Sequence, residues 1–356
     1  MELRISPYRI SFRTPFRTAT NEFRHREGHF LKLSGSGISV WSEAAPLPGF
    51  SHETHDKVGH LLDYYYNDIE NCLKQNRNPA ILEFYNTLPA SIRFGISMLW
   101  HQAKALEMNK SLCEYLKGQH TAKLPLNATL GRASVDEALK KVSNFVGNGY
   151  GTIKVKAGSD FEQELELLRK IRAKYPELTL RVDANRSWSY EEALTYLSEL
   201  KKIKPEYCEE PLRSPTPEML SRLRNETSIP IAADESVRSA DDASQLLKSD
   251  AADVLILKPM LIGGIEEILN INSQAEDAGV SVVYTTSLEA GVGRLITAHI
   301  AAGLLQYPVA CGLATGSMLT KDVFYDENFI EQGNFIIPED AGLGATPDFS
   351  NVDLDL

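Results

Sequence analysis

The sequence predicts an α/β protein whose core is a parallel barrel of eight strands and seven helices, preceded by a smaller α+β domain. Two observations lead to this fold class. Beyond residue 121, short apolar or β-branched runs recur about every 25–30 residues and alternate with amphipathic segments. Before residue 121, strand-like segments come first and helical periodicity follows, an order typical of α+β domains.

The N-terminal region, up to about Val40, has the apolar alternation of a small antiparallel sheet. A polar, turn-prone stretch over Thr18–Gly28 separates the first predicted strand from two further strands. Helical periodicity then runs through Glu53–Gln75 and again through Pro89–Met108. The region is therefore predicted to be a sheet covered by helices.

The segments between the predicted barrel strands carry helix-start signals. Ser134, Ser159 and Ser189 are each followed three residues later by a glutamate, the pattern of a capping box. Even spacing favours a closed barrel over a doubly wound open sheet, and no GxGxxG motif follows the first strand. The eight strands are predicted at Leu124–Thr129, Thr152–Lys156, Thr179–Asp183, Tyr207–Glu210, Ile229–Asp234, Val254–Lys258, Ser281–Ser287 and Val309–Gly312.

The composition excludes several classes of protein. The formal net charge of −11 and the pI near 5.3 exclude nucleic acid and an acidic membrane surface as expected partners. The longest apolar run, Leu295–Ala310, is interrupted by polar residues and is too short for a membrane span. No signal-peptide pattern is seen, and four scattered cysteines are typical of reduced thiols, so we expect a cytoplasmic protein. Oligomerisation stays open.

Charged residues stand at the carboxyl ends of five consecutive predicted strands. These ends converge on one mouth of a barrel, where catalysis is found. A single charged residue after a strand commonly belongs to a solvated loop, but solvated loops do not readily explain charged residues at the ends of five successive strands. The structural alternative is a ring of salt bridges that serves stability. The five ends read Lys154-Val155-Lys156, Asp183-Ala184-Asn185, Glu209-Glu210-Pro211, Asp234-Glu235-Ser236 and Lys258-Pro259.

Three of these acids, Asp183, Glu209 and Asp234, come from neighbouring strands. Three carboxylates that face one another repel strongly unless a divalent cation lies between them. Ligation by oxygen alone, without histidine or cysteine, favours a hard ion. The sequence therefore predicts a Mg²⁺ site at the barrel mouth, with Mn²⁺ as an alternative.

Lysines flank the predicted ion from two directions. Lys154 and Lys156 share one face of the second strand because side chains alternate along a strand, and Lys258 ends the sixth strand. Neighbouring cations lower the pKa of a lysine, and a general base needs a pKa near the working pH. We expect one lysine to remove the proton α to a carboxylate while the metal accepts the charge that develops.

The ordered series of strand-end motifs resembles the enolase superfamily, in its muconate-lactonising branch, and the similarity extends over essentially the whole chain. The resemblance implies a (β/α)7β TIM-like barrel with an N-terminal α+β capping domain. It divides the chain into the capping domain over residues 1–120, the barrel over 121–318, and a C-terminal arm over 319–356 that returns to the capping domain.

Within that branch the sequence is most similar to the o-succinylbenzoate synthase family, on the stretches Arg181–Arg186, Thr286–Glu289 and Cys311–Gly316. This resemblance implies a Mg²⁺-dependent lyase of menaquinone biosynthesis. The implied reaction is syn-dehydration of 2-succinyl-6-hydroxy-2,4-cyclohexadiene-1-carboxylate to 2-succinylbenzoate. The partner is then a small-molecule carboxylate substrate.

The resemblance also assigns roles residue by residue. Lys156 removes the α-proton and protonates the departing hydroxyl, and Lys258 stabilises the negative charge from across the barrel. Lys154 holds the substrate carboxylate or lowers the pKa of Lys156. Glu210 and Glu235 are expected to be supporting or structural. The implied metal ligands are Asp183, Glu209 and Asp234, and the other implied substrate contacts are Arg181, Ser287 and Gly312.

Other activities stay open at this point. An N-acylamino acid racemase or a cycloisomerase of the same branch would use the same lysines, and a non-catalytic carboxylate-binding barrel is the alternative outside catalysis. Dipeptide epimerases of the branch carry Asp-x-Asp on the last strand, whereas this chain reads Gly312-Leu-Ala-Thr315. The polar stretch Thr18–Gly28, which includes Arg26, is either a lid over the mouth or a solvated hairpin loop.

Overall fold

The computed structural model of the protein describes residues 1–17, 22–117, 121–158, 160–352 and 354. The strands are β1 (Glu2–Arg17), β2 (Glu22–Gly35), β3 (Ile38–Ala44), β4 (Lys123–Pro125), β5 (Asn127–Leu130), β6 (Thr152–Lys156), β7 (Thr179–Asp183), β8 (Cys208–Glu209), β9 (Ile231–Ala233), β10 (Val254–Leu257), β11 (Ser281–Tyr284), β12 (Ile330–Glu331) and β13 (Asn334–Ile336). The helices are α1 (His55–Tyr64), α2 (Tyr66–Lys74), α3 (Ala90–Glu107), α4 (Leu112–Lys117), α5 (Val135–Gly147), α6 (Phe161–Lys174), α7 (Tyr190–Leu200), α8 (Pro217–Glu226), α9 (Ala240–Lys248), α10 (Pro259–Ile262), α11 (Ile265–Asp277) and α12 (Gly291–Leu304).

The N-terminal sheet is antiparallel, with strand order β1-β2-β3. Its first two strands form a long hairpin in which Glu2 pairs with Ser34 and Ser11 pairs with His25. Strand β2 begins at Glu22, so the loop predicted over residues 18–28 is wrong for its second half. Of the polar side chains that suggested a loop, Glu22 and Arg24 occupy exposed positions of the strand, whereas Arg26 is buried. Residues 18–21, which belong to the predicted lid, lie outside the described residues.

The helices of the N-terminal domain pack on one face of this sheet. The single helix predicted over residues 53–75 is two helices, α1 and α2, which meet at Tyr65. Helix α3 is almost fully buried along its central turns and contacts β3 and β2. The shared core is apolar and includes Leu3, Leu31, Leu33, Val58, Leu62, Ile69, Ile92, Ile96 and Leu99.

Seven parallel strands form the barrel sheet in the order β5 to β11, so each strand pairs with its neighbour in the sequence. The eighth position is a two-residue bridge, in which Cys311 pairs with Leu126 and Gly312 pairs with Thr285. The Gly312 N–H donates to the carbonyl of Tyr284 at 2.9 Å. These bridges join the last strand position to the first and close the barrel, as predicted.

The predicted eighth strand, Val309–Gly312, is longer than the observed pairing, which involves only its last two residues. A close approach explains why a glycine stands there. A Cβ atom on Gly312 would lie 2.8 Å from Cγ2 of Thr285, which is closer than real Cβ contacts allow. Glycine therefore lets the short strand pack tightly against the neighbouring strand.

Helix caps fix the start of the barrel helices. The capping boxes predicted at Ser134 and Ser189 are confirmed, and Thr216 caps α8 with a proline at its first position. Ser159 lies outside the described residues, and the side chain of Asp160 caps α6 by accepting from the Gln163 N–H at 3.2 Å. No helix in the described ranges is both long and apolar enough to cross a membrane.

The C-terminal residues run back across the barrel towards the N-terminal sheet. Strands β12 and β13 form a small antiparallel sheet with β4. Phe349 packs against Trp41 with ring centroids 4.5 Å apart, and Leu354 forms a bridge with Tyr8. The predicted domain boundaries at residues 120 and 318 stay predictions, because no independent observation divides the chain there.

Candidate active site

Charged side chains from five neighbouring strands meet at the mouth of the barrel. The parallel register places Lys156 beside Asp183 and Asp183 beside Glu209. Since side chains alternate along a strand, these residues and Lys154 face the barrel interior while Val155 and Val182 pack against the helices. We call the six interior residues the mouth cluster: Lys154, Lys156, Asp183, Glu209, Asp234 and Lys258.

Lys154 and Lys156 approach the acids from the same strand. The Lys154 Nζ lies 2.8 and 3.1 Å from the two carboxylate oxygens of Glu209 and 2.9 Å from Oδ2 of Asp183. One ammonium group therefore draws two carboxylates together. The Lys156 Nζ lies 2.7 Å from Asp183 Oδ2, and its side chain is 34% exposed against 13% for Lys154. Lys156 is thus the more accessible of the two lysines.

Lys258 reaches the cluster from the other side of the barrel. It follows β10 and forms an ion pair with Asp234, and its Nζ lies 5.9 Å from the ring centroid of Phe50 in the N-terminal domain. Strands β6 and β10 are the second and sixth of eight positions around the barrel. Lys156 and Lys258 therefore face the mouth from opposite walls.

The carboxylates dominate the protonation of two of the lysines. Burial lowers the pKa of Lys154, but the charges of Asp183 and Glu209 outweigh burial and hold the pKa well above its usual value. Burial likewise lowers the pKa of Lys258, and Asp234 outweighs it. The charges nearest to Lys154 and Lys258 in this structure are carboxylates, and the effect of a second ammonium group and a metal ion on the pKa of the base stays a prediction.

The acids of the cluster do not receive equal amounts of positive charge. Burial raises the pKa of Asp183, but its two lysine partners outweigh burial, and the net effect is a pKa below the usual value. Burial raises the pKa of Glu209 well above its usual value, and the charge of Asp183 raises it further. Glu209 is therefore short of positive charge even though Lys154 contacts it.

The carboxylate oxygens of the mouth cluster are suitable ligands for a hard dication, although the lysine ammonium groups contact these oxygens in the structure. No group of three or more histidine, cysteine, aspartate or glutamate side chains within the described ranges is arranged to hold a metal ion. Three carboxylates from adjacent strands nevertheless supply oxygen-only ligands, and Asp183 and Glu209 lie close enough together for the Lys154 ammonium group to contact both. Asp183, Glu209 and Asp234 are the residues that would hold such an ion.

Glu210 is turned away from the mouth and joins the ends of two neighbouring strands. Its Oε2 accepts from the backbone N–H of Asp234 at 2.8 Å and of Ser236 at 3.2 Å. Its Oε1 accepts from Nε of Arg186 at 3.0 Å. These bonds hold the turn after β9, so the structure gives Glu210 the supporting role expected for it.

Asn185 and Glu235 extend the cluster beyond the residues singled out from the sequence. Asn185 Oδ1 accepts from Lys156 Nζ at 2.7 Å, and Asn185 Nδ2 donates to Glu235 Oε1 at 3.2 Å. Burial raises the pKa of Glu235 to about 7, and the charge of Asp234 adds to the effect. Both residues belong to the strand-end motifs, but only the folded chain shows that the Asn185 amide links Glu235 to Lys156.

The backbone and hydroxyl groups predicted to contact substrate on the seventh and eighth strands are already engaged. The N–H and the hydroxyl of Ser287 both donate to Glu289 Oε2, at 2.6 and 2.8 Å. The Gly312 N–H donates to Tyr284, and its carbonyl accepts from Thr286. Substrate contact by Ser287 and Gly312 therefore stays a prediction.

Arg181 lies deeper in the barrel than expected for a substrate contact. Its guanidinium donates to Glu206 Oε2 at 2.6 Å, to the Ala310 carbonyl at 2.6 Å and to Asn127 Oδ1 at 3.1 Å. All three partners precede or begin their strands, so they lie towards the amino-terminal end of the barrel. This placement does not support the predicted substrate contact of Arg181.

The N-terminal domain holds the loop that leads into α12. Arg26 is only 2% exposed, and its guanidinium donates to the carbonyls of Pro46 at 2.7 Å and Leu288 at 3.0 Å. Glu43 accepts from the N–H groups of Ala290 at 2.9 Å and Gly293 at 2.8 Å. Arg26 is therefore a buried residue of a strand, and the proposed mobile lid finds no support in it.

Burial raises the pKa of Glu43 to about 7, an effect that the nearby charge of Glu289 reinforces. No lysine forms an ion pair with either acid within the described residues, although Arg26 lowers the pKa of Glu43 slightly. A Cβ atom on Gly293 would lie 3.0 Å from Oε2 of Glu43, so glycine permits the close approach of the carboxylate to the helix start. We call Glu43 and Glu289 the interface pair.

The fold and the strand-end residues together define the class of protein. The sequence profile of the family described as "Enolase C-terminal domain-like" matches residues 137–351, and that described as "MenC, N-terminal domain" matches residues 2–103. The chain belongs to the enolase superfamily. Solved structures with a similar fold include muconate lactonizing enzyme from Pseudomonas fluorescens, with a TM-score of 0.85 at 22% identity over 98% of this chain and 96% of that one.

Relatives with different activities match the chain. The o-succinylbenzoate synthase of Thermobifida fusca is 34% identical over 207 residues, which cover 57% of this chain and 63% of that protein. The N-succinylamino acid racemase of Thermus thermophilus is 29% identical over 96% of this chain and 93% of that protein. The D-Ala-D/L-Ala epimerase of Cytophaga hutchinsonii is 29% identical over 97% and 94%. These relatives include both lyases and isomerases, so the reaction itself has to be argued from the site.

Proposed function

We propose that this protein is an o-succinylbenzoate synthase, a Mg²⁺-dependent lyase that dehydrates 2-succinyl-6-hydroxy-2,4-cyclohexadiene-1-carboxylate to 2-succinylbenzoate. The observation that carries the proposal is the convergence of three carboxylates at the mouth with lysines on two opposite walls. A bound Mg²⁺ would hold the substrate carboxylate and offset the negative charge that develops on it when the adjacent C–H bond breaks.

Lys156 is the proposed base because it combines reach with access. It is the most exposed lysine of the mouth cluster, and it has one acid partner where Lys154 has two. In its neutral form it would take the proton from the carbon α to the carboxylate. The ammonium so formed would give its proton to the hydroxyl on the same face, so that the C–O bond breaks, a C=C bond forms and water leaves.

Lys258 would act electrostatically from the opposite wall. Its ion pair with Asp234 keeps this side chain charged, because the carboxylate outweighs the cost of burial and raises the pKa. A fixed positive charge that faces the substrate stabilises the anion produced by loss of the α-proton. Lys154 would hold Asp183 and Glu209 together and contribute charge near the substrate carboxylate.

The wall formed by the seventh and eighth strands is the proposed position of the succinyl arm. Gly312 pairs with Thr285 at this wall, and Ser287 borders the same wall. No acid stands on the last strand between residues 312 and 315, so this wall lacks the carboxylates that would hold a substrate ammonium group. This composition supports a substrate without a free amine.

N-succinylamino acid racemisation is the second candidate function. It is favoured by the racemase relative, which matches almost the whole chain, and by the two lysines on opposite walls. Racemisation needs one lysine to remove the α-proton and the other to return a proton on the opposite face. The same residues therefore permit both reactions, and the measured ratio of their rates has to decide between them.

The test is to incubate the purified protein and Mg²⁺ with the cyclohexadiene substrate and, separately, with an N-succinylamino acid. We expect kcat/KM for formation of the aromatic product to exceed that for racemisation by at least about tenfold. A protein that racemises the amino acid readily but leaves the cyclohexadiene unchanged would overturn the proposal in favour of the second candidate. Turnover of neither compound would overturn both.

A further inference from the structure

We propose that Asn185 and Glu235 are positioning residues that hold the amine of Lys156 in place for proton transfer. The proposal rests on the proposed function only in taking Lys156 as the base. Within the described residues, neither side chain forms a hydrogen bond with one of the three acids. The evidence is a continuous chain of contacts from Lys156 through Asn185 to Glu235.

The backbone directs the Asn185 side chain to the mouth. Asn185 follows β7 by two residues, and its φ of 43° lies in the left-handed region, which asparagine adopts more easily than most residues. Its backbone N–H donates to Oδ1 of Asp183 at 3.1 Å. This turn is held from both ends, because the backbone is tied to Asp183 and the side chain to Glu235.

The amide can take only one orientation that satisfies both neighbours. A protonated lysine has only donors, so it requires the Asn185 oxygen, and it lies 2.7 Å from that oxygen. The Asn185 nitrogen has only donors, and Glu235 Oε1 accepts from it at 3.2 Å. Glu235 thus fixes the direction of the amide and, through it, the place where the Lys156 amine binds.

Lys156 needs such a support more than the other lysines of the mouth cluster. Its side chain is 34% exposed, whereas those of Lys154 and Lys258 are 13% and 15% exposed. A long flexible side chain that faces solvent has many rotamers, and misplacement of a reacting group by about 1 Å can reduce the rate about 100-fold. The amide restricts Lys156 to positions near the α-carbon of a bound carboxylate.

Glu235 is anchored well enough to act as the fixed end of this chain of contacts. It is adjacent to Asp234 at the end of β9, in a turn that Glu210 holds through two backbone bonds. Its second oxygen, Oε2, is shielded from solvent and makes no hydrogen bond within the described residues. Only the oxygen that faces Asn185 is therefore used, which suits a role in orienting the amide.

Four variants test the proposal by steady-state kinetics and Mg²⁺ titration. Asn185→Ala should lower kcat by about 10- to 100-fold and leave KM and Mg²⁺ affinity within about threefold of wild type. Glu235→Leu should have a similar effect, whereas Glu235→Gln keeps an acceptor oxygen and should retain most of kcat. The double variant Asn185→Ala/Glu235→Leu should be no slower than Asn185→Ala within about twofold, because both changes break one chain of contacts.

The matched control is Glu199→Gln, which alters an exposed acid at the far end of α7 and should leave all parameters unchanged. Undiminished kcat in Asn185→Ala would overturn the proposal. Equal losses in Glu235→Gln and Glu235→Leu, or losses that follow Mg²⁺ affinity, would also overturn it, because a purely structural role predicts them.

Crystal structures of the same variants separate this proposal from the proposed function. Asn185→Ala should displace or disorder the Lys156 amine while leaving Asp183 and Lys154 in place. If the wild type turns over neither candidate substrate, the proposed function fails, but this displacement would still support the positioning role. An unchanged, well-ordered Lys156 in Asn185→Ala would overturn the positioning role whatever substrate the enzyme uses.

Discussion

Two groups of buried acids occupy neighbouring parts of the molecule, and their partners differ. In the mouth cluster, Asp183, Glu209 and Asp234 all contact lysines. In the interface pair, Glu43 and Glu289 are held by backbone N–H groups and hydroxyls. Burial raises the cost of charge in both places, but of these two groups only the mouth acids form ion pairs with lysines within the described residues.

The difference shows that a buried acid is not by itself a sign of chemistry. Glu43 caps α12 from another part of the chain, and Glu289 holds the loop before that helix. Their partners are fixed parts of the backbone, so these acids have a structural role. The mouth acids instead lie at the ends of adjacent strands, and their partners are lysine ammonium groups. A dication can replace these ammonium groups.

The largest expected effect comes from removing the proposed base. Lys156→Ala should reduce kcat by at least about 1,000-fold, because general base catalysis is lost, and should leave Mg²⁺ binding intact. Thermal unfolding should change little, since Lys154 still neutralises Asp183. The matched control is Lys170→Ala, an exposed lysine on α6, and near-normal activity of Lys156→Ala would place the base elsewhere.

Removing one mouth acid should weaken metal binding. Asp234→Asn should lower Mg²⁺ affinity by at least about tenfold, because one of three anionic ligands becomes neutral. Isothermal titration measures the affinity, and Asp241→Asn, an exposed acid in the first turn of α9, is the control. Activity of the wild type should disappear with EDTA and return with added Mg²⁺, and a rate that ignores EDTA would contradict a metal site.

The interface pair should instead appear in the pH dependence of stability. The folded pKa of Glu43 is about 7, above the usual value of 4.5. A raised carboxyl pKa stabilises the fold fully below about pH 4.5, and this stabilisation is lost as the pH rises towards 7. The wild type should therefore lose about 3 kcal/mol relative to Glu43→Gln between pH 4.5 and 8.

Urea unfolding at several pH values measures this difference. Because the variant cannot ionise at position 43, its stability curve should diverge from that of the wild type only where Glu43 titrates. Parallel curves for the two proteins across the whole range would show that Glu43 does not carry the raised pKa. A decrease in kcat of Glu43→Gln at a pH where the variant stays folded would give the interface pair a catalytic role. The interface pair would then no longer differ from the mouth cluster in function.

The smallest expected effect is at Ser287, which borders both regions. Ser287→Ala should reduce the free energy of unfolding by about 1 kcal/mol, because a buried hydrogen bond to Glu289 is lost. KM should stay within about threefold of wild type, because the hydroxyl donates to Glu289. An increase of tenfold or more would mean that Ser287 binds the substrate, as the family resemblance implies.

Local patterns in the sequence were sufficient to predict the barrel and its strand ends. Strands β6 and β7 have the predicted bounds, because each is a β-branched run with charged residues at its end. Strands β8 and β9 are shorter than predicted, at two and three residues. Their flanking residues have strand-like composition but form turns that Glu210 holds through side-chain bonds, which no local pattern reveals.

Side-chain reach accounts for the site residues that the sequence could not place. The alternation of side chains predicts which face of a strand a residue occupies, but not towards which end of the barrel a long side chain extends. Arg181 therefore shares a face with Asp183 and yet binds Glu206 at the opposite end of the barrel. Arg26 and Glu43 each make a hydrogen bond with a residue more than 200 positions away. Such contacts depend on how the N-terminal domain packs on the barrel.

An anomalous difference map from crystals grown with Mn²⁺ shows whether Asp183, Glu209 and Asp234 hold one hard dication with lysine amines on both sides. We expect a single strong peak at the barrel mouth, within about 2.0–2.3 Å of an oxygen from each of the three acids, with Lys154 released from at least one of them. Absence of a peak, or a peak elsewhere with the lysine–acid pairs intact, would show that these acids do not form a metal site.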